Sequence, residues 1–332
     1  MSIWVALGMV AAILGILLFT IWASEPLGAI DVTTYRLFVP QITSDGIDAQ
    51  DGADHGAAEG CPEIDPNAEV HTIYDHRVQR ATSSDGVKFV DDETILLEHA
   101  SVPDAVVRPN GETWVYFVNG EAGQHGVFIA KQDEDGLLHT FDCVRIDDKF
   151  NGNAVDPDVV LLDDGRYRLF YYEGWFVGQK PPPGSEPAHP IFQAISNDGV
   201  HFTVESKILE VEDGGTDPTC VELDDGSWLL ALAHKSKTLL ATSEDGQTYT
   251  LSNTELPHGI PELHHFDDGS VRLYLAGKDG MKIWLSTDNG DTWTDEGNAS
   301  LNGADPSLVK QADGTYVMYR KTFVPGSQQP PQ

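Results

Sequence analysis

Ten tight-turn signals in two alternating series constrain the fold of this chain more than any other feature. In the first series a proline precedes two β-forming runs joined by an Asp-Gly or Asn-Gly pair, as in "DPDVVLLDDGRYRLFYY". In the second series the same kind of pair joins two shorter runs, as in "AISNDGVHF". The turn glycines are Gly111, Gly165, Gly226, Gly269 and Gly314 in the first series and Gly86, Gly136, Gly199, Gly246 and Gly290 in the second. Because such pairs supply the positive φ of a tight turn, each signal predicts a β-hairpin.

The order of the two series along the chain predicts how the hairpins assemble. Pairs of hairpins recur at intervals of about 40 to 60 residues, which is typical of the blades of a β-propeller. The repeats begin with a lone second-series hairpin near residues 76–95 and end with a lone first-series hairpin near residues 304–321. We expect these N- and C-terminal hairpins to join and close the ring. The sequence therefore predicts an all-β, five-bladed β-propeller with four-stranded antiparallel blades over residues 69–324.

The N-terminal segment has a different character. Residues 3–22 carry no charge, and an apolar run of that length can span a bilayer. A secretory signal is the alternative, but no basic residue precedes the run. We expect residues 1–23 to be a transmembrane helix or signal segment, residues 24–68 an acidic flexible tether and residues 325–332 a disordered tail. Both interpretations place the propeller outside the cytoplasm. The protein is either anchored to the membrane by its N-terminal helix or secreted.

Charge and cysteine content exclude some function classes. The 53 acidic and 20 basic residues give a formal net charge of -33. A nucleic-acid partner is excluded, because phosphate contacts need Lys and Arg; solubility, for example in a salty medium, explains the acidity. The cysteines, Cys61, Cys143 and Cys220, lack metal-ligand spacing and allow one disulfide at most.

Acidic residues recur at the predicted start of the first strand, strand A, of each blade. Nine residues before the first-series glycines stand Val102, Asp156, Asp217, Ile260 and Asp305, and seven before them stand Asp104, Asp158, Thr219, Glu262 and Ser307. Residues two apart point to the same side of a strand, so we expect these acids to converge on the mouth of the central channel. Catalysis, a cation site and recognition of sugar hydroxyls all fit, while capping of turn N–H groups is the structural alternative. We predict catalytic roles for Asp104, Asp156, Asp158, Asp217 and Glu262 and a substrate-binding role for Asp305. No cofactor is required, and Ca²⁺ in the channel is compatible with the acids.

The predicted ends of the second strands, strand B, lie on the same face and add candidates. Glu173 stands between Tyr172 and Trp175, and a carboxyl packed against aromatic rings suits a general acid; an exposed loop acid is the alternative. Trp175 opens a proline-rich insert and could stack on a sugar. Further substrate-binding candidates are Asn119, His234 and Arg320, although His234 can equally be a structural histidine.

The repeats over residues 70–322 resemble the five-bladed propeller glycosidases, which include the arabinanase and β-xylosidase family and the invertase family. That resemblance implies a base Asp, a pKa-setting Asp and an acid Glu from successive blades, an order found here at Asp156, Asp217 and Glu262. The acid of the family usually precedes its proline, whereas Glu262 follows Pro261. The base of the family normally comes from the first strand A, which would instead nominate Asp104 with Asp158 next. The implied reaction is inverting hydrolysis of an oligo- or polysaccharide by two carboxyls ~6.5–9.5 Å apart.

The stretch "STDNGDTW" fits S-x-D-x-G-x-T-W, the Asp box that looks like a sialidase signature. Sialidases look like six-bladed propellers with an arginine triad, whereas the repeats here predict five blades and only Arg320 at the mouth. The sequence thus favours an exported glycoside hydrolase-like protein. A non-catalytic propeller that binds a glycan or a protein is the alternative, and a sialidase is a further one.

Overall fold

The computed structural model describes residues 60–62, 72–120, 126–133, 136–173, 189–211 and 214–324, all within one compact unit, His55–Gln332. The expected membrane span, most of the tether, the C-terminal tail and Trp175 lie outside these ranges. No helix within the described ranges has the length and apolarity needed to cross a bilayer. The helix that precedes the first strand is a single 3₁₀ turn, Thr72–Asp75.

Four of the five blades are formed by consecutive strands. Blade 1 contains β3 (Ala100–Val107), β4 (Thr113–Asn119), β5 (Val127–Gln132) and β6 (Leu138–Cys143). Blade 2 contains β9 (Ala154–Leu161), β10 (Tyr167–Glu173), β11 (His189–Ser196) and β12 (His201–Val211). Blade 3 contains β13 (Thr216–Glu222), β14 (Trp228–His234), β15 (Lys237–Ser243) and β16 (Thr250–Pro257). Blade 4 contains β17 (Ile260–His265), β18 (Val271–Gly277), β19 (Gly280–Ser286) and β20 (Thr294–Asn298).

The fifth blade combines the two ends of the propeller. Its strands are β21 (Ala304–Lys310), β22 (Tyr316–Phe323), β1 (His76–Ser83) and β2 (Phe89–Glu98). Strand β1 pairs antiparallel with β22 over its whole length, from His76 opposite Phe323 to Ser83 opposite Tyr316. The predicted ring closure and the five four-stranded antiparallel blades are therefore confirmed.

Blade 2 departs from the expected pattern at its outer edge. Two short strands between blades 1 and 2, β7 (Arg145–Ile146) and β8 (Lys149–Phe150), extend its sheet to six strands. Strand β7 pairs in parallel with β12, so the chain braces blade 2 from outside before entering its first strand. No turn signal marks these two-residue strands in the sequence.

The turn glycines behave as the sequence predicts. All ten have positive φ, between 68° and 89°. In the first series each glycine amide donates a hydrogen bond of 2.8 or 2.9 Å to the carbonyl three residues earlier. These turns close the hairpins at the end of the propeller opposite the starts of the strands A, because successive strands of a blade are antiparallel.

The turn "STDNGDTW" uses its polar side chains internally. The Ser286 hydroxyl donates to Asp288 (2.8 Å), and the Asp288 carboxylate accepts from the amide (2.9 Å) and hydroxyl (2.5 Å) of Thr292. The indole Nε1–H of Trp293 donates to the Gly290 carbonyl (2.9 Å). This turn therefore holds a hairpin of blade 4 in shape.

The apolar core lies between neighbouring blades. Leu229 and Ala231 of blade 3, for example, pack with Leu263 and Leu273 of blade 4. One disulfide, Cys61–Cys143, ties the segment before the propeller to β6, and Cys220 is a buried free thiol. This pairing is within what the cysteine count allows.

Candidate functional site

Five residues that immediately precede a strand-A proline surround the mouth of the central channel, and we call them the mouth ring. They are Val102, Asp156, Asp217, Ile260 and Asp305. All except Ile260 have a left-handed backbone, with φ between 46° and 51°. The same four blades show a register shift between strands A and B at this point, whereas blade 4 pairs regularly.

These register shifts are β-bulges, and a bulge changes the direction of a side chain. Left-handed backbone outside glycine is uncommon, and it concentrates at functional sites. Val102 shows that the bulge belongs to the blade rather than to aspartate, since a β-branched residue adopts it too. In blades 2, 3 and 5 the bulge carries a carboxylate to the channel mouth.

Two residues further along each strand A lies a second set, which we call the inner ring. It comprises Asp104, Asp158, Thr219, Glu262 and Ser307. Each of its side chains accepts a hydrogen bond from a backbone amide of the next blade. The donors are the amides of Val159 to Asp104 (2.7 Å), Cys220 to Asp158 (3.0 Å), Leu263 to Thr219 (3.0 Å), Leu308 to Glu262 (2.7 Å) and Ala105 to Ser307 (2.9 Å). The bonds form an unbroken circle that fastens all five blades together.

Hydroxyl groups complete the inner ring. The Ser307 hydroxyl donates to Asp104 (2.9 Å) and the Thr219 hydroxyl to Glu262 (3.2 Å). Burial raises the pKa of Asp104 to about 7, even though its hydrogen bonds act in the opposite direction. Burial, and then the neighbouring acids, also raise the pKa of Asp158 and Glu262 well above their usual range. The inner ring therefore retains protons at pH values where exposed carboxyls have lost theirs.

The space between the two rings is small. It is a cavity of about 20 Å³, which is room for about one water molecule. A sugar ring therefore cannot descend to the inner ring, and a ligand at this end of the propeller meets the mouth ring first.

The three mouth-ring carboxylates influence one another. The Asp217 amide donates to Asp156 (3.3 Å), and the Thr216 hydroxyl donates to Asp217 (2.6 Å). Burial, followed by the charge of Asp305, raises the pKa of Asp217 to about 6. Burial, followed by the charges of Asp217 and Asp305, raises the pKa of Asp156 well above its usual range. The three groups cannot all be ionised at neutral pH without mutual repulsion.

The structure assigns the mouth cation to Lys321 rather than to Arg320. Arg320 is buried, donates from Nε to the Asn302 carbonyl (2.8 Å) and pairs with Asp91. Lys321, the next residue on β22, points the other way and pairs with Asp305. Arg320 was the predicted mouth residue, but the period-2 alternation of β22 turns its side chain away from the mouth and brings that of Lys321 to it.

The other predicted strand-B residues are more dispersed. Glu173 is exposed and accepts a hydrogen bond from Asn151 (2.6 Å), while Asn119 ends β4 opposite Ala100. His234 ends β14, and both of its ring nitrogens are buried without a hydrogen-bond partner within the described part of the chain.

Tyr172, beside Glu173, is the strand-B residue of blade 2 that meets the carboxylates, and sequence reasoning missed it. It is buried, hydrogen-bonds with Asp156 and stacks on His189 with ring centroids 4.8 Å apart. A buried tyrosine needs a polar partner, and Asp156 provides it.

The fit of a Ca²⁺ ion can be tested against the same carboxylates. Ca²⁺ takes six to eight oxygen ligands, supplied by carboxylates, carbonyls and waters, and a cluster of carboxylates is one way to provide them. Among the described residues, no three channel acids bring oxygens within 4.8 Å of one another, and the group that does so consists of the disulfide cysteines and Asp142. Lys321 also occupies the position of a cation beside Asp305. Within the described residues, the channel acids therefore do not offer a cluster of three carboxylates to a Ca²⁺ ion.

Comparison with known proteins identifies the fold. No family model and no curated protein matches this chain. Among solved structures, a thermostable family-43 glycoside hydrolase has a TM-score of 0.54 at 12% identity, covering 70% of this chain and 86% of its own. A family-117 glycoside hydrolase of the marine bacterium Zobellia galactanivorans has a TM-score of 0.50 at 9% identity, covering 82% of this chain and 94% of its own. The fold of this chain is thus the five-bladed β-propeller that is also found in glycoside hydrolases of families 43 and 117.

Proposed function

We propose that this protein is a glycoside hydrolase that acts on an oligo- or polysaccharide at the mouth ring. The observation that carries the proposal is the convergence of Asp156, Asp217 and Asp305, on left-handed bulges of three blades, above a cavity too small for a sugar. A substrate would lie across the mouth, with its glycosidic bond over these carboxyls.

The electrostatics of the three carboxyls suit acid–base hydrolysis. A raised pKa lets Asp156 keep a proton at neutral pH, as a donor to the leaving oxygen requires. An ionised neighbour can activate water on the opposite side, as in an inverting glycosidase. In this scheme Asp104, Asp158 and Glu262 act structurally, since their oxygens accept the amides of the next blade. Sialidase activity has little support, because Arg320 is committed to Asp91.

Export is part of the proposal. The Cys61–Cys143 disulfide supports it, because disulfides persist mainly in oxidising compartments. The apolar run at residues 3–22 supplies either a membrane anchor or a signal. Protease accessibility of the propeller in intact cells, with and without membrane disruption, tests this part; digestion only after disruption would contradict it.

Hydrolysis of a panel of aryl glycosides and oligosaccharides tests the enzymatic proposal. We expect the wild-type protein to cleave at least one member and Asp156→Asn to lose about 10²- to 10⁴-fold in kcat, the usual contribution of a general acid. Asp288→Asn is the matched control, because it makes the same change in a turn at the far end of the propeller. Equal activity of Asp156→Asn and wild type would overturn the assignment.

A glycan-binding propeller without catalysis is the second candidate. The observation that favours it is Ile260, which leaves blade 4 without a carboxylate in the mouth ring. Calorimetric titration with the same oligosaccharides distinguishes the two candidates. Binding that needs the mouth ring, with no cleavage of any panel member, would favour this candidate over the hydrolase.

A further inference from the structure

We propose that Lys321 is a positioning residue that keeps Asp305 ionised, which makes Asp305 the base that activates water and leaves the shared proton of the mouth ring with Asp156. The roles of base and acid rest on the proposed hydrolase function. The distribution of charge among the three carboxyls does not, and it can be measured without any turnover.

The geometry of blade 5 places this lysine. Strand β22 runs beside β21, and Lys321 lies opposite Ala304, the residue before Asp305. Its ammonium pairs with Asp305, and only 13% of its side chain is exposed. A buried ammonium is costly unless it is paired, and Asp305 provides that partner.

Among the described residues, the titratable groups that act on this pair come from five strands. Asp305 comes from β21, Asp217 from β13, Asp156 from β9, Tyr172 from β10 and His76 from β1, while blades 1 and 4 present Val102 and Ile260. His76 hydrogen-bonds with Ser101 (2.8 Å), and burial followed by the charge of Lys321 lowers its pKa to about 3. Burial, then the nearby acids, raise the pKa of Tyr172 well above its usual range.

The imidazole of His76 and the phenol of Tyr172 are therefore neutral at physiological pH, and the charge of the mouth is set by three carboxyls and one ammonium. The ammonium forms its ion pair with Asp305 and acts on Asp217 and Asp156 only as a nearby charge. Its effect on the pKa of Asp156 and of Asp217 is smaller than the effects of burial and of the neighbouring acids. In the proposed arrangement, one positive charge lies closer to Asp305 than to Asp217 and Asp156. It therefore favours the ionised form of Asp305 most, and the other two carboxyls can keep a proton.

The proposed reaction conserves atoms and protons. Asp305 accepts a proton from the water whose oxygen bonds to the anomeric carbon, while the glycosidic C–O bond breaks and Asp156 gives its proton to the leaving oxygen. The products are a sugar hemiacetal and an alcohol. Asp305 then loses a proton to solvent and Asp156 regains one, so no other reactant is needed.

Carboxyl ¹³C NMR titration of the full chain tests the inference, with Lys321→Met removing the charge and Lys321→Arg keeping it. In wild type we expect the Asp305 carboxyl to show the chemical shift of the ionised form at neutral pH. In Lys321→Met the Asp217 midpoint should rise by about one pH unit, because a nearby opposite charge has been lost, and in Lys321→Arg it should stay within about half of that shift. A purely structural lysine would leave these midpoints unchanged in folded protein, and that result would overturn the inference.

Asp305→Asn provides a second test should Lys321→Met fail to fold. This variant removes the negative charge that raises the pKa of Asp217, so the Asp217 midpoint should fall; an unchanged midpoint would count against the charge coupling. In an active enzyme, the acid limb of the pH–rate profile should move upward in Lys321→Met. Shifted midpoints in a protein that cleaves no glycoside would overturn the hydrolase proposal and leave the Lys321 inference standing.

Discussion

The mouth ring and the inner ring lie two residues apart on the same five strands, yet their acids are in different situations. Inner-ring carboxylates accept amides from the next blade and close the propeller. Among the mouth-ring carboxyls, Asp156 accepts a single longer amide bond, and Asp305 pairs with a lysine. In the proposed function the mouth-ring acids are the catalytic candidates, because the neighbouring blades use fewer of their oxygens and hold them less tightly.

The largest expected difference between the mouth ring and the inner ring is in the effect of substitutions on kcat. We expect Asp217→Asn to reduce kcat about tenfold or more, since it removes a charge that raises the pKa of Asp156, the proposed acid. Thr219→Val, two residues along the same strand, should leave kcat per folded molecule within about threefold, because the inner ring lies below a water-sized cavity. Steady-state kinetics on folded protein checks both, and a collapse of kcat in Thr219→Val would remove the distinction.

We expect the free energy of unfolding to change with pH as the inner-ring carboxyls titrate. The pKa of Asp104 is about 7 when folded and close to its usual value of about 4 when unfolded. A raised folded pKa means that its stabilising contribution is complete below about pH 4 and is lost as the pH rises through about 7. We expect the free energy of unfolding to fall by on the order of 4 kcal/mol over that range.

Urea unfolding at a series of pH values measures this trend. Exposed carboxylates also ionise over part of the range, so Asp104→Asn, which cannot titrate, is the control. The variant should show a flatter profile than wild type. Identical profiles would mean that Asp104 does not carry the effect.

Substitutions should affect the stability of the two rings in opposite directions. Asp158→Ala leaves the buried Cys220 amide without its acceptor, and such a loss costs about 1–3 kcal/mol. Asp156→Asn removes a charge that Asp217 and Asp305 repel and keeps a polar partner for Tyr172, so stability should stay constant or rise. Thermal unfolding of the two variants provides the comparison, and equal destabilisation would contradict it.

The smallest effect is expected at the far end of the propeller. Asp288→Ala removes hydrogen bonds to Thr292 and Ser286 in an exposed turn, where water replaces the lost carboxylate as a partner. We expect a small drop in melting temperature with unchanged kinetics. A loss of activity in this variant would contradict the assignment of that turn to structure.

Most of the fold could be predicted from local sequence, whereas only part of the site could. The positions of the turn glycines predicted all five blades and the residues of both rings, because positive φ at each turn fixes the register of its hairpin. Counting could not reveal that Asp158 accepts the Cys220 amide, since that bond joins two blades. Nor could it separate Arg320 from Lys321, because the direction of a side chain depends on where β22 starts its alternation.

The sequence by itself determined the number of blades, the closure of the ring by its two ends and the end of the propeller at which acids gather. Those properties follow from turn chemistry and strand period, which act over a few residues. The tertiary structure alone decided which acids accept amides of the next blade around the inner ring and which cation pairs with Asp305. Burial, neighbouring charge and hydrogen bonds across blades set those roles, and each depends on residues some 40 to 230 positions apart in the chain.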